Sequence, residues 1–399
     1  MKVLITTDWY TSVINGVVAS VQVLSRELTK RGHEVRILTL SENRHSYINE
    51  EVFYAGSAGI GRLYPGARIK LPGTGWGMKE LLHWRPDIIH SQCECSTFIL
   101  AKRIAAELKI PIIHTCHTIY EDYTHYFSPR EKWGREIVQR ITRRISRQVS
   151  GMIVPSEKVR KILENYQVAC PLWVIPSGID LSGFETQENE KWREEIRKKY
   201  SISSKETVIL YVGRLAKEKN VKELLQYQQK KKEGKEVLML VGDGPYRREL
   251  EEYVRAHYLE NRVVFTGMIC HEKVHRYYQA GDLFVSASVS ETQGLTYGEA
   301  LASGLPLLCR KDDCLKGVVE EGVNGWQYEN DNEFFDCLEK WEKMKKSRKE
   351  KMCKMARESA HQFSAENFGR EVEKVYEMGL ENFFPGRSGN MYRSGNMGI

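Results

Sequence analysis

Two successive series of alternating strands and helices constrain the fold of this 399-residue chain more than any other feature. The first series starts with the apolar run VLITTD and continues through GVVASVQVLSRELTKRG, HEVRILTL and IPIIHTC. The second starts with TVILYVGRL and continues through VKELLQYQQKK and EVLMLVGDGP. Continuous apolar strands separated by helices are typical of parallel sheets covered on both faces. The sequence therefore predicts an α/β protein with two doubly wound, Rossmann-like domains that face each other across a central cleft.

A polar segment between the two series marks the expected domain boundary. The stretch from Phe184 to Glu206 is highly charged. We therefore expect an N-terminal domain over residues 1–183 and a C-terminal domain over residues 184–362, each of ordinary domain size. The tail 383–399 repeats RSGNM and is rich in Gly and Ser, which predicts disorder.

Charge and composition limit the class of protein. Residues 1–180 hold 24 Lys and Arg against 17 Asp and Glu, whereas residues 181–399 hold 36 of each, so the net charge of +7 belongs to the first half. This asymmetry predicts an acidic partner for one domain only. The nine cysteines do not suggest a disulfide framework. Because no apolar run approaches the roughly 18 residues of a membrane span and the N-terminus lacks an export signal, we expect a cytoplasmic protein.

Basic residues and glycines near strand ends predict an anion site. In VGRLAKEKN, Arg214 and Lys219 lie in a loop entering a helix, where unpaired amides and the helix dipole add to the side-chain charge. Gly16, after the first strand, lets backbone amides approach an anion without a Cβ in the way. Solvated basic residues and a turn glycine are the plainer interpretation of each feature. The turn VGDGP, with Gly242 and Gly244, lacks the full GxGxxG pattern of a dinucleotide site.

Two further clusters suggest chemistry at strand ends. HTCHTIYEDYTHYF places His117 at the carboxyl end of an apolar strand, followed by polar aromatics and acids that include Asp122, which favours a functional site over a structural histidine. ETQGLTYGE carries Glu291 and Glu299 eight residues apart. In one helix the two acids would share a face and suggest a metal site or an acid/base pair. The glycine at 294 instead predicts that Glu291 precedes the helix and that Glu299 lies about one turn into it.

The segment SPREKWGREIVQRITRRISRQVSG is a basic amphipathic helix with seven basic and two acidic residues. Its apolar stripe consists of Trp133, Ile137, Ile141 and Ile145. The arginines placed roughly opposite are Arg140, Arg143, Arg144 and Arg147. Two interpretations are open: the stripe packs on the sheet and the arginines face water, or the arginines contact anionic lipid headgroups. No nucleic-acid-binding module, P-loop, HExxH motif or Ser-His-Asp set accompanies it, so we expect no nucleic-acid partner and no metal.

The motifs ETQGLTYGE, GRLAKEKN, PSGID, the NGV loop and HTIYEDYTHY occur together in this chain. As a set they resemble the retaining glycosyltransferases of family 4, and the resemblance covers roughly residues 1–380. It implies the GT-B fold, in which the last helix, here near residues 363–380, usually crosses back onto the first domain. The loop HTIYEDYTHY, with HSQCECS before it, is most similar to bacterial diacylglycerol glucosyltransferases, which transfer glucose from UDP-glucose to a membrane lipid.

The resemblance implies a role for each candidate residue. Residues of the reaction centre are His117, Glu291, Arg214 and Lys219. Residues that bind substrate are Gly16, Asp122, Met268, Ile269, Gly294, Leu295, Thr296 and Glu299. In this scheme the two cations neutralise the donor diphosphate, Glu291 holds the donor sugar, Glu299 holds the ribose, and His117 lies beside the transferred sugar. The backbone around Met268 meets the base.

The resemblance also implies a mechanism and partners. Cationic side chains and a helix N-terminus stabilise the leaving UDP, so catalysis requires no cofactor beyond the UDP-sugar donor. The expected partners are this donor, a lipid acceptor and the anionic inner face of the cell membrane, where the enzyme binds peripherally through the four arginines. Two alternatives remain open: a family 4 enzyme with a soluble or phosphatidylinositol-type acceptor, and a nucleotide-sugar epimerase or binding protein.

Overall fold

The computed structural model describes residues 1–10, 16–60, 68–71, 77–119, 131–184, 188–231 and 234–385. The chain divides into a first unit, Met1–Gly178 with Ala365–Ile399, and a second unit, Ile179–Ser364. This division falls at residue 178, whereas the sequence places the boundary at 183. The backbone explains the difference, because the amide of Ile179 donates to the carbonyl of Phe363 at 2.7 Å and thereby joins the second unit.

The first unit contains ten described strands. They are β1 (Lys2–Thr6), β2 (Glu34–Leu40), β3 (Tyr47–Asn49), β4 (Val52–Ala55), β5 (Ser57–Gly59), β6 (Arg68–Lys70), β7 (Ile88–Ser91), β8 (Ile112–Thr115), β9 (Gly151–Val154) and β10 (Leu172–Val174). Eight of them form one sheet in the order β10-β9-β8-β7-β1-β2-β4-β3, in which only the β3–β4 pair is antiparallel. Strands β5 and β6 form a separate antiparallel pair.

Helices cover both faces of the first sheet. Those before residue 178 are α1 (Gly16–Lys30), α2 (Met78–Trp84), α3 (Ser96–Leu108), α4 (Glu131–Ser146) and α5 (Glu157–Asn165). Alternate residues of β1 point to opposite faces: Ile5 packs with Leu24 of α1, and Leu4 packs in the cluster that contains Ile104 of α3. The two-sided burial explains why the strands read as continuous apolar runs.

The second unit is a six-stranded, fully parallel sheet. Its strands are β11 (Thr207–Val212), β12 (Glu236–Val241), β13 (Val263–Gly267), β14 (Leu283–Ser286), β15 (Leu307–Arg310) and β16 (Gly325–Tyr328). Its helices are α6 (Asn189–Lys199), α7 (Val221–Lys230), α8 (Arg247–Ala256), α9 (His271–Tyr278), α10 (Leu295–Ala302), α11 (Asp331–Lys343) and α12 (Lys346–Ala360). The order β13-β12-β11-β14-β15-β16 is the Rossmann order 3-2-1-4-5-6, which reverses between β11 and β14.

The charged stretch before β11 is part of the second unit. It contains helix α6, which buries Ile196 in the core and Trp192 against His275 of α9. Arg197 of the same helix pairs with Asp282 at 2.7 Å. The polar composition of this stretch therefore reflects one exposed helix face.

The last described helix, α13 (Ala365–Phe383), belongs to the first unit. It packs on α1, and it buries Phe368, Val372 and Tyr376 in the cluster that also holds Ile5. Its Glu373 accepts from His33 at 2.8 Å and pairs with Arg31. The predicted disordered tail lies outside the described residues from residue 386 onward.

Candidate functional site

The carboxyl ends of β11 and β14 lie side by side in the second unit, where the strand order reverses. Doubly wound sheets bind ligands at this position. The loop after β11 presents Lys219 and the loop after β14 presents Glu291, and their Nζ and Oε1 atoms are 2.6 Å apart. Only 17% of the lysine side chain and 21% of the glutamate side chain are exposed. Two residues far apart in the sequence thus form one half-buried ion pair at the switch point.

Arg214 lies in the same loop as Lys219 and is 47% exposed. Its guanidinium pairs with Glu218, and its carbonyl accepts from the Tyr211 hydroxyl at 3.0 Å. Ser290, in the loop after β14, donates its hydroxyl to the carbonyl of Glu218 at 3.0 Å. The two loops are therefore joined by a hydrogen bond from a side chain to the backbone as well as by the ion pair.

Helix α10 begins at this edge of the sheet. Gly294 precedes it with a φ of 73°, in the left-handed region. A Cβ there would lie 2.4 Å from Cε2 of Tyr297, so conformation and space both demand glycine. Because glycine has no side chain that could cap the helix, the first amides of α10, including those of Leu295 and Thr296, are suited to an anion.

Glu299 lies in the second turn of α10, and Glu291 lies in the loop before the helix, as the glycine between them predicts. Oε2 of Glu299 accepts a hydrogen bond of 2.7 Å from the hydroxyl of Tyr278, the last residue of α9. The two glutamates are therefore held by different partners. Across the described ranges, no three His, Cys, Asp or Glu side chains come close enough to hold a metal ion.

Another carboxylate, that of Glu223, holds the loop after β11. Its oxygens accept hydrogen bonds from Arg310 at 2.9 Å and from the hydroxyls of Tyr227 and Tyr328 at 2.8 and 3.1 Å. Asn220, which ends the loop with a φ of 51°, donates to the same carboxylate at 2.7 Å. Glu223 therefore connects α7 and the ends of β15 and β16 to the loop that carries the predicted cations.

The glycines of VGDGP serve packing between loops. A Cβ on Gly242 would lie 2.0 Å from the carbonyl oxygen of Gly213, and one on Gly244 would lie 2.4 Å from the carbonyl oxygen of Leu215. The loops after β11 and β12 therefore touch backbone to backbone. This close approach requires glycine whether or not a ligand binds there.

Met268 and Ile269 follow β13 at the same edge of the second sheet. Met268 is 73% exposed, whereas Ile269 is partly buried and packs against the core. Met268 is therefore available for contact with a ligand.

His117 lies just after β8 at the carboxyl edge of the first sheet. Its Nε2 is 2.6 Å from Oε1 of Gln92, and this geometry assigns the ring proton to Nε2 because an amide oxygen only accepts. Burial lowers the pKa of His117 to about 4, the nearby Glu94 partly opposes the shift, and His114 adds to it. The imidazole is therefore neutral near pH 7, with Nδ1 as its acceptor atom.

Two other predicted residues are Gly16 and Asp122. Gly16 is the first residue of α1, so it contributes to a helix N-terminus after β1. Asp122 lies outside the described residues, as do Tyr120, Glu121, Tyr123 and His125.

Three of the four side chains in the apolar stripe of α4 are exposed. Trp133, Ile137 and Ile141 are 60%, 46% and 52% exposed, and the helix instead buries Val138 and Ile145. The interpretation in which the whole stripe packs on the sheet is therefore wrong. The helix buries the side that carries Val138 and Ile145, and Trp133, Ile137 and Ile141 face outward.

The arginines of α4 do not form one opposing face. At about 100° per residue, Arg144 projects within about 20° of both Trp133 and Ile137. Arg140 and Arg144 are exposed, as is Arg147, which directly follows the helix, whereas Arg143 is half-buried and donates from Nε to the carbonyl of Tyr166 at 2.6 Å. The exposed surface, which we call the α4 surface, consists of Trp133, Ile137, Ile141, Arg140, Arg144 and Arg147. No described helix is long and apolar enough to cross a bilayer.

Comparison with known proteins establishes the family. Residues 14–182 match the family Glycosyltransferase Family 4, and residues 192–362 match Glycosyl transferases group 1. The chain is 35% identical to the alpha-monoglucosyldiacylglycerol synthase of Streptococcus pneumoniae over 94% of its own length and 85% of that protein. This chain is a family 4 glycosyltransferase. It is also 29% identical to the Acholeplasma laidlawii protein of the same name, over 85% of this chain and 87% of that protein.

Solved structures share the fold of this family 4 glycosyltransferase. The Anabaena protein HepE, crystallised with UDP and glucose, matches with a TM-score of 0.73 at 16% identity, over 94% of this chain and 99% of that chain. Sucrose-phosphate synthase from Thermosynechococcus elongatus matches with a TM-score of 0.70 at 19% identity, over 94% and 98% of the two chains. The two Rossmann-like units are those of the GT-B fold.

Sequence patterns find the loops of the candidate site but miss the side chains that hold them. The structure brings Lys219 and Glu291 together at the start of α10. The sequence patterns missed four residues that hold these loops or the predicted side chains: Tyr278, Glu223, Ser290 and Gln92. Only Glu223 has a local signal, because a carboxylate three residues after Asn220 at the start of a helix is typical of helix capping.

Proposed function

We propose that this glycosyltransferase transfers glucose from UDP-glucose to diacylglycerol with retention of the anomeric configuration. The observation that carries the proposal is the half-buried Lys219–Glu291 pair beside the glycine-initiated helix α10. A cation, a carboxylate and free helix amides at one switch point match the needs of a nucleotide-sugar, which has a diphosphate next to a polyhydroxylated ring.

The second unit supplies the donor site. Arg214 and Lys219 bind the diphosphate together with the amides of Gly294 and Leu295. Glu291 accepts from hydroxyls of the donor sugar and Glu299 accepts from the ribose. The backbone around Met268 and Ile269 meets the uracil. Thr296, in the first turn of α10, binds the donor as well.

The first unit supplies the acceptor side. Gly16 brings the amides of α1 to the diphosphate, and His117 lies beside the transferred glucose. Because its pKa is depressed to about 4, His117 binds as a neutral ring whose Nδ1 accepts from a sugar hydroxyl. Asp122 binds the acceptor.

The chemistry follows from where charge develops. As the bond between the anomeric carbon and the UDP oxygen breaks, negative charge grows on the diphosphate, where the two cations and the amides of α10 stabilise it. These groups neutralise the diphosphate as a divalent ion would, so the proposed reaction does not require a metal. The acceptor hydroxyl attacks from the face that UDP leaves, and its proton passes to a diphosphate oxygen.

The acceptor assignment rests on the relatives and on the α4 surface. The two relatives described above are named for the synthesis of a glucosyldiacylglycerol. The α4 surface combines three exposed apolar side chains with three exposed arginines, which suits the interface of an anionic bilayer. We therefore place the enzyme on the inner face of the cell membrane.

A matrix of donors and acceptors tests the proposal. UDP-glucose, UDP-galactose and GDP-mannose are each incubated with diacylglycerol, phosphatidylinositol and soluble sugars, and the product anomer is read by NMR. We expect α-glucosyldiacylglycerol from UDP-glucose. Transfer only to phosphatidylinositol, or only to a soluble sugar, supports a family 4 enzyme with that acceptor in place of diacylglycerol. UDP-sugar binding without transfer to any acceptor supports an epimerase or a binding protein.

A further inference from the structure

Tyr278 holds the carboxylate of Glu299 from inside the protein. The tyrosine is fully buried at the end of α9, and its hydroxyl donates to Oε2 of Glu299 at 2.7 Å. Hydrogen bonds to a charged acceptor are roughly twice as strong as neutral ones. The bond therefore fixes the orientation of a carboxylate that lies on a different helix.

The ring of Tyr278 is held by packing against two phenylalanines. It packs edge-on against Phe184 at a centroid distance of 5.9 Å and lies nearly parallel to Phe284 at 6.3 Å. Among the described residues, Glu299 is the hydrogen-bond partner of its hydroxyl. A rigid donor of this kind sets the plane of the carboxylate, whereas a mobile donor would follow it.

A fixed carboxylate plane matters for recognition of a vicinal diol. A carboxylate has about four lone-pair positions, so accepting from Tyr278 is compatible with accepting from two sugar hydroxyls. Two hydroxyls on adjacent carbons are held in a fixed relation, and they bind well only to a carboxylate that already has the matching orientation. Loss of one hydroxyl then leaves a desolvated carboxylate oxygen underpaired.

We propose that Tyr278 is a positioning residue that makes the nucleotide site selective for ribose over 2′-deoxyribose by orienting Glu299. The inference rests on the proposed function in one respect, the assignment of Glu299 to the ribose. The ligand class is therefore a uridine nucleotide with both ribose hydroxyls intact.

The variant Tyr278→Phe tests the inference because it removes one oxygen and keeps the ring. A matched control is Tyr297→Phe, since Tyr297 is also buried and its hydroxyl contacts the hydroxyl of Ser286 at 3.2 Å. Isothermal titration calorimetry gives the Kd for UDP and for 2′-deoxy-UDP with the unaltered protein, both variants and Glu299→Gln. The ratio of the two Kd values is the decisive quantity, because partial unfolding of a variant weakens both ligands equally and leaves the ratio unchanged.

We expect the unaltered protein and Tyr297→Phe to prefer UDP by about tenfold or more. Tyr278→Phe should weaken UDP binding, leave 2′-deoxy-UDP almost unaffected, and bring the ratio within about threefold of unity, close to that of Glu299→Gln. A Tyr278→Phe protein that keeps the full preference overturns the inference and leaves the donor site intact. An unaltered protein that binds the two nucleotides equally refutes the ribose role of Glu299, and with it the inference.

Discussion

The α4 surface makes a quantitative prediction about binding to anionic membranes. The perturbation is Arg140→Ala, Arg144→Ala and Arg147→Ala together, which removes three exposed positive charges and spares Arg143, the arginine that is bonded to a carbonyl. Each basic residue near an anionic surface contributes about 1 kcal/mol, so the triple variant loses about 3 kcal/mol. At about 1.4 kcal/mol for each tenfold change, its partition into anionic vesicles should fall more than about 100-fold.

The apolar part of the same surface predicts a different signature. Trp133 is 60% exposed, and a tryptophan buries about 150–250 Å² when fully covered. Insertion of that exposed share, at about 25 cal/mol per Å², is worth about 2–4 kcal/mol. Trp133→Ala should therefore weaken binding to a similar degree. The tryptophan loss should persist at raised salt, whereas the arginine loss should shrink because salt screens charges at the surface.

The assay is flotation with vesicles of phosphatidylcholine, with and without phosphatidylglycerol, at low and raised ionic strength. The matched control replaces three exposed basic residues of α12, Lys346, Arg348 and Lys351, with alanine and so removes the same net charge from the second unit. The reasoning is refuted if the α4 triple variant floats as well as the unaltered protein. Equal losses in the α12 control would show that total charge, rather than the α4 surface, drives binding.

Three further predictions concern the two sites and the loops. Lys219→Met should lower transfer about 100-fold, because it removes one of the charges that we propose to stabilise the leaving diphosphate, and it removes the lysine that pairs with Glu291. Gly242→Ala should lower the free energy of unfolding by at least about 2 kcal/mol in urea, since its Cβ would meet the carbonyl of Gly213 at 2.0 Å. His117 has a folded pKa of about 4, below its unfolded value, so the unfolded chain binds the extra proton between about pH 6.5 and 4, and His117 lowers stability as the pH falls through that window. Urea midpoints at pH 7 and 5 should therefore differ less in His117→Gln.

Each of these predictions has a control. Lys217→Met alters a 73% exposed lysine of the same turn, so an equal loss of transfer would contradict the role given to Lys219. Gly317→Ala has a φ of 79° but no atom within 4 Å of the new Cβ, so it isolates the conformational cost from the clash. The control for His117→Gln is His361→Gln, which replaces an exposed histidine. If both histidine variants reduced the difference between the urea midpoints at pH 7 and pH 5 equally, the burial of His117 would not explain its effect.

The sequence predicts the architecture well because the determining signal is local. Continuous apolar runs such as VILYV arise only where a strand is covered on both faces, and the helices between them set the parallel direction. The rotation of α4 could not be predicted in the same way. Hydrophobicity alone assigns Trp133 and Ile137 to the core, whereas the packing buries Val138. The sequence also cannot distinguish an apolar face that meets the sheet from one that meets another surface.

The site is predicted in part for a similar reason. Gly294 marks the start of α10 in the sequence. Lys219 and Glu291 lie in loops that the parallel topology brings to one edge of the second sheet. The partner that orients Glu299 comes from α9, 21 residues earlier, and its contact depends on how two helices pack. Gln92 likewise meets His117 across two strands, 25 residues apart. Pairings of this kind leave no spacing rule in the sequence.

The return of α13 to the first unit has a consequence for biosynthesis. Residues 179–364 are translated between the first unit's sheet and the helix that completes its core. At about 5–20 residues per second, that interval lasts about 10–40 s. During this time the face of β1 that receives Phe368 and Tyr376 is covered by α1 but not by α13, and the buried His90 lacks the Tyr376 hydroxyl that contacts its Nδ1 at 2.6 Å. The unit that emerges first from the ribosome is therefore the last to finish folding, and a nascent chain released before residue 365 would keep a complete second unit beside an unfinished first one.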